Sequence, residues 1–219
     1  MTQVLSALRS GHLPTLISAF LYFDFSFMAW VLIGALGVFI SNDLQLTVAQ
    51  KGIVVAVPLL GASFFRIIVG VLVDRFGPKR VGTFSLLALL IPLLYGWLIA
   101  SSFFEMIFVG ALLGIAGSSF AVALPLVSRA YPSRHQGMAM GVVGAGNSGS
   151  MLAVLVAPFL AQRWGWHAIF GWTLVPLILV LLLFISMARE AERFPFPKPF
   201  YVYRDLLLQK ELWWFNLYY

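Results

Sequence analysis

Arg66 sits near the middle of an apolar stretch, residues 53–73, that contains no acidic side chain. A guanidinium in such a place suits one chemistry above others. Its planar fork donates paired N–H bonds to two oxygens of a planar, delocalised anion, which the point charge of a lysine cannot do as well. Arg at the centre of a membrane-spanning helix costs about 2.5–3.5 kcal/mol on insertion scales, so its presence there marks a candidate anion pathway. Asp24 is a second charge set inside an apolar segment, and three roles are open to it. It could be a proton site coupling anion movement to a proton gradient, a partner for Arg66 when no substrate is bound, or a carboxylate solvated near a segment end. Asn147 contributes an amide that can both donate and accept in a polar cavity.

Other chemistries find no footing. Glu105 falls at the end of an apolar segment, as an interfacial carboxylate would, and His12, His135 and His167 lie at segment ends or in loops, so no metal or haem site is expected inside the membrane. With no cysteine, there is neither a disulfide framework nor a thiolate site, and no cofactor is expected. No nucleophile–base pair and no paired carboxylates converge within the apolar segments, so an enzyme is not expected.

These residues must be held by membrane-spanning helices. Of the 219 residues, 61% are hydrophobic and 10% charged, with a mean hydropathy of +0.96, against about 25% charged in soluble domains. Six segments approach the ~20 residues a helix needs to cross the hydrocarbon: 17–40, 53–73, 81–100, 103–127, 138–161 and 167–187. Their apolar character is continuous rather than alternating, which selects helices over barrel strands. The expected class is an all-α, multi-pass membrane protein. Arg9, then Arg75, Lys79 and Arg80, then Arg129 and Arg134, then Arg189, Arg193, Lys198, Arg204 and Lys210 fall on one side, and Lys51 and Arg163 on the other. That asymmetry places the N-terminus and the tail in the cytoplasm. The net charge of +6 is mostly this bias, dispersed over loops, and does not indicate nucleic-acid binding.

Residues 1–188 are expected to form one six-helix transmembrane bundle. The tail, 189–219, is broken by Pro195, Pro197 and Pro199 and then turns aromatic from Trp213 to Tyr219. It reads as a cytoplasmic linker followed by the start of a truncated seventh span, with interfacial anchoring as the other reading.

The run GVLVDRFGPKR at residues 70–80 closes the second segment. Gly70 would let a neighbouring helix approach, Gly77-Pro78 would make a tight turn, and Asp74 would face a helix N-terminus or a loop arginine. The run resembles the signature between the second and third spans of the major facilitator superfamily. That resemblance implies a gating role for Gly70, Asp74, Arg75, Gly77 and Arg80 rather than substrate contact. The runs GIAGSSFAV at 114–122, VSRAYP at 127–132, QGMAMG at 136–141 and GAGNSG at 144–149 are similar to the nitrate signature of the nitrate/nitrite porter family within that superfamily. Residues 21–24 and 26–28 of the first segment also resemble bacterial members. Arg129-Ala130-Tyr131-Pro132 departs from the family, many of whose members carry an aromatic pair before the proline.

The resemblance implies a six-span N-terminal bundle of the major facilitator fold. It further implies nitrate or nitrite as substrate, with Arg66 as anchor, Phe120 stacking on the anion's face, Asn147 bonding its edge, and Gly144 and Gly146 allowing close approach. Read on spacing alone, Gly137, Gly141, Ala145 and Gly149 form one seam on the fifth segment and Gly110, Gly114 and Ser118 another on the fourth. Both are suited to close helix packing. Porters of this superfamily have two six-span halves, and the chain carries motifs of the first. The expected partners are nitrate or nitrite, membrane lipids and a separately encoded C-terminal half. A half carrying another small anion, or a non-transporting membrane fragment, are the alternatives.

Overall fold

The computed structural model of the chain describes residues 10–190, 208–210 and 214. Among these, every regular element is helical: α1 (Leu13–Trp30), α2 (Leu32–Asp43), α3 (Val48–Phe76), α4 (Pro78–Leu98), α5 (Phe103–Gly117), α6 (Phe120–Ala130), α7 (Gln136–Gly144) and α8 (Ser148–Met187), with short 3₁₀ turns at Ser133–His135 and Ala145–Asn147. Five runs are long and apolar enough to cross a membrane: Leu13–Asp43, Val48–Phe76, Pro78–Leu98, Phe103–Ala130 and Ser133–Met187. The last holds 55 residues, about 80 Å if straight, and its backbone breaks at Gly165, where φ is 77° and ψ 159°. The fifth and sixth expected segments thus run on through this break as one helical stretch. Most of the expected linker and seventh-span start lies outside the described residues.

Helix limits fall beyond the apolar segments because hydrogen bonding, not hydropathy, sets them. Thr47 and Gln50 close a reciprocal capping box at the start of α3, which extends that helix past the apolar run into polar sequence. At its other end Gly77 takes φ 89°, which a side chain would disfavour, and Pro78 starts α4 at once. Ser102 caps α5 by accepting from Glu105 N.

Buried apolar residues form one core, with Tyr22, Phe170 and Phe184 among its largest members. Tyr22 and Phe184 lie 4.9 Å apart between ring centroids, joining α1 to α8. The outside is as apolar as the inside: Leu60, Ile67, Phe84 and Val175 are each more than two-thirds exposed. Such a surface is unsustainable in water and natural in lipid.

Polar contacts gather at the two ends of the bundle. At one end Thr15 Oγ1 accepts from Arg189 N at 2.9 Å, Ala130 O accepts from His12 N at 3.3 Å, and Glu190 Oε1 accepts from Lys79 N at 3.3 Å. At the other, Trp166 Nε1 donates to Asp43 Oδ2 at 2.9 Å and His167 Nε2 bonds Ala100 O at 2.7 Å.

Candidate anion site

Two helix breaks make the site. Between α5 and α6 the ladder tightens to a three-residue step: Ser118 N bonds Ile115 O and Ala121 N bonds Ser118 O. In a regular helix Ala121 N would take Gly117 O, so the break releases that carbonyl. Arg66 Nη2 donates to it at 3.4 Å. The second break is the 3₁₀ turn Ala145–Asn147, which interrupts the helical run between α7 and α8. It brings Gly144 and Asn147 into the lining of the same cavity as Arg66 and Phe120.

Arg66 reaches this point because α3 and α5 cross with almost no side chain between them. A Cβ on Gly114 would strike the backbone of Gly61, and one on Gly61 would meet Ala111 O at 2.7 Å. Trp30 Nε1 pins the same stretch of α3 by donating to Pro58 O at 3.0 Å.

The result is a half-open cavity of about 270 Å³ lined by Phe23, Phe27, Arg66, Phe120, Gly144 and Asn147. Three of the expected binding residues, Arg66, Phe120 and Asn147, are therefore brought together, with Gly144 beside them. Gly146 is placed differently. It is buried against α1, where a Cβ would meet Phe23 Cδ1 at 3.0 Å and Asp24 N at 3.1 Å, so it lets helices pack rather than an anion approach.

Phe23 and Phe27 were not singled out as lining residues. Their rings lie 4.4 Å apart, and Phe23 lies 5.9 Å from Phe120, so the cavity has an aromatic wall on the α1 side. Their four-residue spacing is the one available signal, and in an apolar helix it is equally a core pattern.

Asp24 does not line this cavity, and among the described residues it forms no ion pair with Arg66. Its Oδ1 accepts from Ser148 Oγ at 2.6 Å, one residue from Asn147. Gly149 packs on the Asp24 backbone so closely that a Cβ there would overlap the carbonyl oxygen. The carboxylate is thus joined to the α7–α8 break, and the pairing with Arg66 is not formed.

The 70–80 run divides between two surroundings. Asp74 Oδ1 lies 3.8 Å from Arg129 Nη2, an ion pair between the ends of α3 and α6. Arg75 and Arg80 instead line an outer cavity with Lys79. A Cβ on Gly70 would meet nothing within 4 Å, so the close helix approach expected there is not made among the described residues. The seam expected along 137–149 is likewise split: Gly137 and Gly141 face open space, whereas Gly149 is tightly packed.

Comparison with known proteins gives these features a family. The sequence profile of the Major Facilitator Superfamily matches residues 18–219. The nitrite extrusion protein of Bacillus subtilis (strain 168) is 34% identical over 168 residues, covering 76% of this chain and 42% of the relative. The probable nitrate/nitrite antiporter NarK1 of Thermus thermophilus is 32% identical over 226 residues, covering 96% and 50%. The probable nitrate transporter NarT of Staphylococcus aureus (strain JH9) is 32% identical over 174 residues, covering 76% and 43%. The chain spans half or less of the length of each of these relatives. The crystal structure of the POT family transporter PepTSo matches in fold, with a TM-score of 0.71 at 20% identity over 91% of this chain and 42% of that one. The chain belongs to the major facilitator superfamily, and the likeness to its nitrate/nitrite porters expected from the residues is borne out by relatives that carry those names.

Proposed function

We propose that this chain supplies the first half of a nitrate/nitrite pathway across the cell membrane, with the anion held in the Arg66 cavity. The observation that carries this reading is the placement of one guanidinium, one amide and three phenyl rings around a single half-open cavity. Arg66 spends one N–H on Gly117 O, which fixes the fork and leaves the rest of it for the anion. Asn147 donates to an anion oxygen from another part of the same lining. Phe23, Phe27 and Phe120 keep that side of the cavity dry, which strengthens the charge-assisted bonds.

Six crossings fit this reading. The start of α1 and the end of α8 are tied at one end through Thr15 and Arg189, which supports an even number of passes, and the break at Gly165 offers a point at which the longest run divides into two. The arginine-rich end is then cytoplasmic, with the N-terminus. The Asp74–Arg129 pair latches α3 to α6 on that side and must part when the bundle rocks. Protonation of Asp24 acts through Ser148 on the position of Asn147. A second bundle, continuous with this one or separately encoded, closes the cavity from its open side.

Calorimetric titration of the purified chain with nitrate, nitrite and chloride tests the substrate. Competing binding of nitrate and nitrite, at least about tenfold tighter than chloride, is the expected result. Equal affinity for chloride would mean that the cavity selects charge rather than a planar oxyanion.

A further inference from the structure

Two cavities on the flank of the bundle lie side by side and share Phe76, Arg80 and Phe84 in their walls. The first, about 600 Å³, sets Arg75, Lys79 and Arg80 against one carboxylate among the described residues, Glu190. Among the described residues none of these three cations forms an ion pair. Three cations against one carboxylate leave the described lining with an excess of positive charge. The second is a groove of about 560 Å³ between α3 and α4, with Ile115 of α5 at its floor. Its walls include Phe65, Ile68, Leu72, Val81 and Ala88, and Arg80 is its one charged residue. From Phe76 to Phe65 the groove follows α3 over eleven residue steps, about 16 Å, or roughly half the hydrocarbon thickness and hence one leaflet.

We propose that the adjoining cavities bind an anionic glycerophospholipid, with its phosphate held by Arg75, Lys79 and Arg80 and one acyl chain laid along the α3–α4 groove. A free phosphate would satisfy the basic end but leave the groove unfilled. A zwitterionic lipid would fill the groove but bring an ammonium group to a cavity that already holds three cations. The position agrees with both halves of the ligand, because the basic end stands where the apolar span of α3 stops and the groove points into the bilayer. Juxtamembrane Lys and Arg side chains attract anionic lipids individually. Here the groove adds a defined seat for the chain.

Native mass spectrometry of the full chain, purified in detergent and exposed to phosphatidylglycerol or phosphatidylcholine of identical acyl composition, tests the assignment. Wild-type protein retains phosphatidylglycerol at least about tenfold better, Arg75→Gln and Arg80→Gln each lower that retention about fivefold, and Ala88→Trp lowers retention of both lipids. Millimolar inorganic phosphate leaves bound phosphatidylglycerol in place. Equal retention of the two lipids by wild-type protein overturns the proposal without recourse to any variant. Displacement by inorganic phosphate, with Ala88→Trp unchanged, overturns it in favour of a phosphate site alone.

Discussion

Gly110, Gly114 and Gly117 in α5 share their spacing with Gly137, Gly141 and Gly144 in α7, yet the two rows meet opposite surroundings. A Cβ on Gly110 would touch Pro58 Cδ at 3.3 Å, one on Gly114 would strike Gly61, and one on Gly117 would meet Ala62 Cβ at 2.6 Å. None of the three in α7 would meet an atom within 4 Å. Small residues at this spacing define a smooth surface and say nothing of what lies against it. In α5 that surface is spent inside the bundle, where it sets α3 at the depth that puts Arg66 beside Gly117. In α7 it meets no described atom, and its last member, Gly144, lines the anion cavity, so this is where the proposed second bundle would sit.

The sharpest way to break this contrast is Gly114→Val. Its side chain would enter the α3 backbone, which cannot yield as a flexible side chain would. The folded chain should lose about 3 kcal/mol, read as a collapse of the thermal unfolding midpoint in detergent. A variant as stable as wild type would mean that α3 and α5 do not cross as described.

Where the glycine pattern turns inward, Gly149 packs on Asp24 and Ser148 bonds its carboxylate. If Asp24 conveys protonation to Asn147, nitrate affinity in the wild type should depend on pH, by about fivefold between the two protonation states, and Asp24→Asn should remove that dependence. A variant that keeps the full pH dependence removes Asp24 from coupling.

Gly141→Ala sharpens the comparison from the open side. With empty space at Cβ and a better helix former, the chain should gain up to about 1 kcal/mol. Destabilisation would mean that this face is already covered. The smallest effect is expected at the polar end. There Thr15 N donates to His12 Nδ1 at 3.2 Å, a role that only the neutral ring can fill. Burial, and then the Arg189 charge, hold the His12 pKa below its ordinary 6.5. The contribution of this cap is therefore full above pH 6.5 and erodes as pH falls from there through the lower folded value, because the unfolded chain takes up the proton first. A shallow decline in unfolding midpoint below pH 6.5 that is absent in His12→Asn is the outcome expected.

Much of the site was legible because its key residues are out of place in an apolar helix. Arg66 and Asn147 announce themselves by type, and Phe120 by the family pattern around it. Phe23 and Phe27 do not, since a phenylalanine facing a cavity and one facing a core look alike in sequence. The Ser118–Phe120 break was equally hidden. It contains no proline, and Ser118 and Ser119 are unremarkable in a helix until the ladder beneath them shortens. Arg75 and Arg80 share a motif with Asp74, yet they line the outer cavity while Asp74 pairs with Arg129, a division that motif spacing does not reveal. Helix limits were missed by several residues at Leu13 and Phe76 because hydropathy marks the lipid and capping marks the helix.

Whether the Arg66 fork anchors a planar oxyanion is read by nitrate titration of the purified chain beside its Arg66→Lys variant. Lysine keeps the charge and removes the fork, so nitrate affinity should fall at least about tenfold with little change in unfolding midpoint. Affinity preserved in the folded lysine variant would contradict it and would leave Arg66 as a charge in the pathway rather than the anchor of the anion.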